Sequence, residues 1–354
     1  MAGRVTALVI HPKKPETWFA GSAAGGVWVS HNAGESWDPT WSRFANQNIG
    51  ALAWMILNGE LSLVAATGEA NMSGDSYPGS GVYVSSDDGL TWEPFLELPP
   101  GVAASIDQDV RTFPRRIGSM AFKSGRMAIG SVFLDDSLPA GLYLFDPRKP
   151  ESGLGPCEFW GQRSYNCHCV LFHPRNDRCI FASIEPDGAL NGIWRSRNGG
   201  KNWEHLTKGL PSGDQFRRAS LAFAPSDPDV IYALAANRAN YVLGVYRSTN
   251  GGNSWREILG GRYPTERQMS YNNTIAVHPH KPECAIWGGM KLYRTDDAGR
   301  NWRRITSTER GKRDYVHGDH HALLWPEDDL IISGNDGGVS MTSDGGRNWT
   351  ERKN

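Results

Sequence analysis

The sequence predicts an all-β chain folded as a single seven-bladed β-propeller of four-stranded antiparallel blades. Three observations lead there. An eight-residue motif ending in tryptophan returns six times in 354 residues. Glycine is abundant (41 residues) without the period of three that collagen needs, alongside 14 Trp, 11 Tyr and 12 Phe. Each unit of roughly 40 to 55 residues repeats the same four short strand-like runs, and a lone sheet of that kind buries its faces only against neighbours.

The copies run from Ser30 to Trp37, Ser85 to Trp92, Ser196 to Trp203, Ser248 to Trp255, Thr295 to Trp302 and Thr342 to Trp349. Their tryptophans are spaced by 55, 111, 52, 47 and 47 residues. The long interval is twice the first, so a degenerate unit is expected over Gly118 to Trp160. The expected blades are approximately 1–42, 48–96, 110–160, 164–207, 216–259, 270–306 and 317–354.

Within a unit, an apolar strand such as Thr6 to Ile10 comes first. A proline turn follows, with His11, His173 and His278 at one repeat position, which marks them as turn residues. The second strand, a glycine break and the third strand (Trp18 to Gly21, then Val27 to Ser30) precede the motif and a short fourth strand. In the motif the Asp or Asn can bond turn amides, the glycine can take a positive φ and the tryptophan can pack between blades. The six copies are therefore read as hairpin clasps and not as six ligand sites.

Composition narrows the function. With 37 basic against 38 acidic residues, the chain lacks the basic footprint of a nucleic-acid binder. At 39% hydrophobic and 21% charged it is not a disordered chain, and no apolar run approaches a membrane span. The five cysteines form no CxxC pair, and Cys167, His168 and Cys169 read as core residues. Strand-like sequence begins directly after Gly3 without a signal peptide. A cytoplasmic protein is expected if Met1 is the native start, and a secreted one if a leader precedes it.

Blade geometry puts the motifs at one end of the strands. At the other end, the starts of the first strands and the loops between strands two and three should converge on the axis, where propellers hold ligands. The residues falling there are Arg4, Glu69, Asn71, Asp75, Arg115, Arg116, Tyr165, Glu185, Arg217, Arg218, Asn237, Tyr271, Asn272 and Asn273. The last blade adds His317, Asp319, His320, His321, Asn335 and Asp336. Strand alternation sets His317, Asp319 and His321 on one face and His320 on the other. Imidazole and carboxylate suit divalent ions, but no second ligand set at fixed spacing accompanies them, so no cofactor is expected. Arginine forks near this end suit a carboxylate-bearing ligand such as a uronic-acid or sialic-acid glycan.

The repeated motif is similar to the Asp-box, or bacterial neuraminidase (BNR) repeat, S/T-x-D/N-x-G-x-x-W, and the resemblance covers nearly the whole chain. That family includes sialidases, xyloglucan-cleaving hydrolases, the sortilin ectodomain and photosystem II assembly factors. The stretches Thr67 to Asn71, Asp319 to His321 and Gly334 to Gly338 resemble bacterial propellers labelled glycosyl hydrolase of BNR-repeat type. The chain departs from sialidases in having Gly118 after Ile117 where their arginine motif carries proline. It departs from the xyloglucan hydrolases in reading Ala23 where they carry an aspartate.

The resemblance implies a glycan-directed protein. As a glycoside hydrolase it would use two carboxylates from Glu69, Asp319 and Asp336. A polysaccharide lyase would use His320 or His321 as base, Tyr271 as acid and an arginine on the uronate. A non-catalytic propeller would bind a glycan or a protein partner. The expected binding set is Arg4, Asn71, Arg115, Tyr165, Glu185, Arg217, Asn237, Tyr271, Asn272, His321 and Asn335.

Overall fold

The computed structural model describes residues 3–97, 115–133, 140–146, 157, 164–186, 188–261 and 264–352. Seven antiparallel sheets follow one another along the chain, each a meander in which consecutive strands pair. Six have four strands; the third shows three among the described residues, Ile117–Lys123, Arg126–Ser131 and Leu142–Phe145. No α-helix occurs among the described residues. This is the expected seven-bladed propeller.

Second strands are apolar runs without alternation. Ile231–Asn237 is buried at every position but its last, as a strand covered on both faces requires. The chain divides into two compact units, Thr6–Phe172 on one hand and Met1–Val5 with His173–Asn354 on the other. The first unit packs Phe19, Trp41, Ile49, Tyr83 and Trp92 in one core cluster and Met127, Ile129 and Tyr143 in another. The second packs Tyr232, Leu234, Met269 and Trp287, then Ile286, Ile305, Trp325 and Ile331. Each large apolar side chain so buried contributes roughly 1.5 to 3 kcal/mol.

The repeated motif closes on itself. In all six copies the Ser or Thr hydroxyl accepts the glycine N–H four residues on, at 2.8 to 3.1 Å. The Asp or Asn carbonyl-type oxygen accepts the N–H four residues after it, at 2.8 to 3.0 Å. Trp37, Trp203 and Trp255 give their indole N–H to the glycine carbonyl of their own motif. Trp302 and Trp349 instead donate to Ile258 and Ile305 of the preceding blade, at 3.1 and 2.9 Å. The turn histidines behave as expected: Nδ1 of His11, His173 and His278 accepts the N–H of Lys13, Arg175 and His280.

One irregularity recurs. In four blades the second residue of the first strand is an extra residue left out of the pairing: Gly50, Gly118, Arg217 and His321. Such a bulge bends the strand and re-aims a side chain near the sheet end.

Candidate functional site

The richest polar cluster lies in the unit containing His173–Asn354, around Asp336. This aspartate follows the strand Ile331–Asn335 in a turn closed by Asn335 Oδ1, which accepts the Gly337 N–H at 2.9 Å. Its carboxylate receives the Tyr271 hydroxyl at 2.8 Å on Oδ2 and His321 Nε2 at 2.8 Å on Oδ1. Arg4 Nε pairs with it at 3.4 Å. The Arg4 guanidinium also lies over the Tyr271 ring, 5.1 Å from its centre, and the Tyr271 and His321 rings meet edge to face at 4.8 Å. Burial alone would raise the Asp336 pKa, but His321, Tyr271 and Arg4 outweigh it and hold the carboxyl below its usual range.

The second carboxylate of that blade is shifted the other way. Asp319 sits at φ +64°, a left-handed conformation that aspartate tolerates better than most residues. It is fixed there by Asn272 Nδ2, which donates to its Oδ1, and by the His320 N–H, which donates to Gly289 O at 2.9 Å. Burial raises its pKa, and the nearby Asp336 charge adds to the rise against the Asn272 bond and the His321 and His317 charges. Two aspartates of one blade are thus driven apart in acidity, the condition for separate acid and base roles.

Several fully covered polar atoms here have no protein partner among the described residues. They are Asn272 Oδ1, both side-chain polar atoms of Asn273, His320 Nε2 and His321 Nδ1. Asn272, Asn273 and His320 are 0%, 2% and 0% exposed. A buried polar group without a partner costs about 1 to 3 kcal/mol, so a cluster of them calls for a hydrogen-bonding ligand or water. Arg217, set out of register by its bulge, likewise leaves Nε unbonded.

Other expected residues take different parts. Asn237 Oδ1 accepts the Tyr241 N–H, and Asn335 Nδ2 donates to Ser340, so both close turns. Arg218 Nη1 donates to Ser270 O at 2.8 Å and anchors the segment that carries Tyr271. Glu185 ends the strand Asn176–Glu185, half-buried. His320 is buried completely, with Nδ1 2.6 Å from the Ser333 hydroxyl, and that burial, with the His321 and His317 charges, pushes its pKa down to about 3. His317 turns Nδ1 to Gly318 O, and no group of three His, Cys, Asp or Glu among the described residues is placed to hold a metal ion. In the segment leading to His317, Lys312 pairs with Glu309, and Arg303 pairs with Asp296.

The unit Thr6–Phe172 holds a separate set. Glu69 is 1% exposed and accepts Asn71 Nδ2 at 2.9 Å. Asp75 accepts the Ser73 hydroxyl at 2.5 Å within the same loop. Arg116 reaches Ser76 O at 3.4 Å and Arg115 Nε reaches Gly79 O at 3.5 Å. Tyr165 is a core residue whose hydroxyl donates to Cys157 O and accepts the Leu142 N–H. The five cysteines are all free, and four are buried.

One residue of the first cluster escaped the sequence reading. Glu266 is 2% exposed, its Oε1 accepting the Tyr293 hydroxyl at 2.9 Å and its Oε2 the Met290 N–H at 2.7 Å. Its only sequence signal is an acidic residue a few positions before Tyr271, in a stretch without a motif.

Residues 191–313 match the sortilin family, described as Sortilin, neurotensin receptor 3. The chain is 24% identical over 235 residues to an oligoxyloglucan-reducing end-specific xyloglucanase of Emericella nidulans, which covers 58% of this chain and 28% of that protein. The crystal structure of an ancestral GH74 enzyme superposes with a TM-score of 0.68 at 19% identity, covering 99% of this chain and 46% of that one. YCF48 from Cyanidioschyzon merolae superposes with a TM-score of 0.54 at 15% identity over 97% of this chain and 95% of its own. The chain therefore spans about a quarter of the length of the xyloglucanase and just under half of that of the ancestral enzyme. No helix among the described residues is long and apolar enough to cross a membrane.

Proposed function

We propose that this chain, a seven-bladed propeller of the Asp-box (BNR-repeat) type, is a glycan-directed protein that hydrolyses a glycosidic bond at the Asp319–Asp336 cluster. The observation that carries the reading is the opposed acidity of those two aspartates beside a group of buried, unpartnered amide and imidazole atoms. Sugar hydroxyls both donate and accept, so they match amides such as Asn272 and Asn273, and the Tyr271 ring offers an apolar face. The xyloglucanase and GH74 likenesses support a carbohydrate ligand.

In the reaction, Asp319 as neutral acid gives its proton to the departing glycosidic oxygen. Asp336, kept ionised by Tyr271, His321 and Arg4, takes a proton from the attacking water. The water oxygen bonds to the anomeric carbon as the glycosidic C–O bond breaks, leaving one new reducing end and one free hydroxyl. Arg4 and Arg217 favour a glycan that carries carboxylates.

The test is a reducing-end assay over neutral, uronic and sialylated glycans, with Asp319→Asn and Asp336→Asn beside the wild type. New reducing ends that disappear in both variants support the hydrolase. Ultraviolet absorbance of an unsaturated product, lost in His321→Ala, would replace it by a lyase. Saturable binding without turnover would make the chain a binding propeller.

A further inference from the structure

In this cluster the half-buried carboxyl of Asp319 is bonded to the amide of Asn272, and the buried carboxyl of Glu266 lies across Gly289 from that amide. Asn272 Nδ2 donates to Asp319, while Asn272 Oδ1 has no partner among the described residues. That oxygen borders the same small space beside Gly289 as Glu266 Oε2. A Cβ built on Gly289 would stand 3.5 Å from the amide oxygen and 2.9 Å from the carboxyl oxygen. A side-chain amide has one donating and one accepting end. It can serve one carboxylate, and towards the other it presents oxygen to oxygen, which is repulsive unless one of the two carries a proton.

We infer that Glu266 and Asp319 hold one proton between them across the amide of Asn272. When Asp319 is ionised, Nδ2 points at it and Glu266, as neutral acid, donates to Oδ1. When Asp319 carries the proton, the amide turns over, accepts from Asp319 and donates to an ionised Glu266. Each arrangement holds one proton, and the two interchange by exchange with water. Glu266 is thereby a positioning residue that acts on Asp319 through Asn272; its bearing on glycoside cleavage rests on the function proposed above.

The surroundings agree. Burial is the leading influence on both carboxyls and raises both, so a proton is easily retained. The other groups facing Glu266 are the Tyr293 hydroxyl and Lys291, which favour its ionised form; those facing Asp319 are Asp336, His321 and His317. Gly289 has no side chain to keep the amide and the carboxyl apart, and an alanine there would press on Met269 Sδ at 2.8 Å as well.

The test is a titration of the full chain by NMR of side-chain carboxyl carbons and of the Asn272 NH2 group, which needs no substrate. In the wild type, Glu266, Asp319 and the Asn272 NH2 should respond with common midpoints. Glu266→Gln supplies a permanent donor to Asn272 Oδ1, so the Asp319 midpoint should fall by about one pH unit, ~tenfold in proton affinity. In an Asn272→Leu background the same substitution should move it by less than about a third of that. An equal shift in both backgrounds would reduce the coupling to charge alone and overturn the inference. Separate midpoints with a silent Asn272 NH2 in the wild type would do the same, whether or not the Leu variant folds. Coupled midpoints in a protein that cleaves no glycan would leave the shared proton standing and remove only the proposed hydrolase.

Discussion

The two units of the chain use one bulge position in opposite ways. In Thr6–Phe172 the extra residue is glycine, and neighbouring atoms press on it: a Cβ on Gly50 would lie 2.0 Å from Ile117 O, and one on Gly118 2.4 Å from the Ala70 Cβ. In the unit containing His173–Asn354 the same position carries Arg217 and His321, one with an unbonded Nε and the other on Asp336. The polar groups around it differ in the same sense. Glu69 is bonded within its own loop, whereas the Asp336 cluster leaves amide and imidazole atoms without partners among the described residues. A repeat can thus keep one backbone device everywhere while only some copies expose a side chain through it.

The largest effect expected from this contrast is on turnover. Asp336→Asn should lower glycan cleavage by about 10² to 10⁴-fold, the usual worth of a general acid or base. Glu69→Gln should leave most of it; equal losses in one assay would break the comparison. Next, Gly50→Ala should destabilise the fold by about 3 kcal/mol or more, since a methyl cannot fit against two backbone carbonyls. A melting temperature within a degree or two of the wild type would show that the glycine position is not closed. Thr342→Ala removes the acceptor for the Gly346 N–H and should cost about 1 kcal/mol in denaturant titration, with cleavage unaltered.

The smallest effect is a pH dependence of stability. Asp319 has a raised pKa in the folded chain, so the folded state binds its proton more tightly than the unfolded state does. The stability this contributes is complete in acid, below the ordinary carboxylate value, and is lost as pH rises through the folded pKa. Asp319→Asn should therefore raise the melting temperature at pH 7, and the gain should vanish below about pH 4. A gain that persists unchanged in acid would point to the left-handed backbone, which asparagine also accepts, and not to the charge.

The fold was open to reading because its signals are local and repeated. A serine or threonine, an aspartate or asparagine and a glycine at fixed offsets bond within the same hairpin, and a tryptophan closes each copy, so spacing alone reveals them. The site was only partly legible. Tyr271, Asn272, Asp319, His321 and Asp336 are brought together as polar ends of neighbouring strands, as the blade pattern implies. Asn237 and Asn335 have the same composition and address, yet their amides close turns, because turn closure and ligand binding ask for the same atoms. Tyr165 falls at a rim position by sequence but is core in the structure, its hydroxyl held by backbone. Glu266 gave no sign, since what buries it is a hairpin distant from it in sequence.

The indole bonds of the last two motifs carry a consequence for the way the chain comes apart. The indole N–H of Trp302 and of Trp349 goes to the blade before it, while that of Trp37, Trp203 and Trp255 goes to the glycine carbonyl of its own motif. In a chain of repeats, stability is the sum of each repeat and its boundaries. The boundaries preceding the last two blades carry this added bond, so amide protons there should exchange with solvent only in large, costly openings. The segment bearing Asp319 and Asp336 would then be among the last parts of its unit to yield its amide protons.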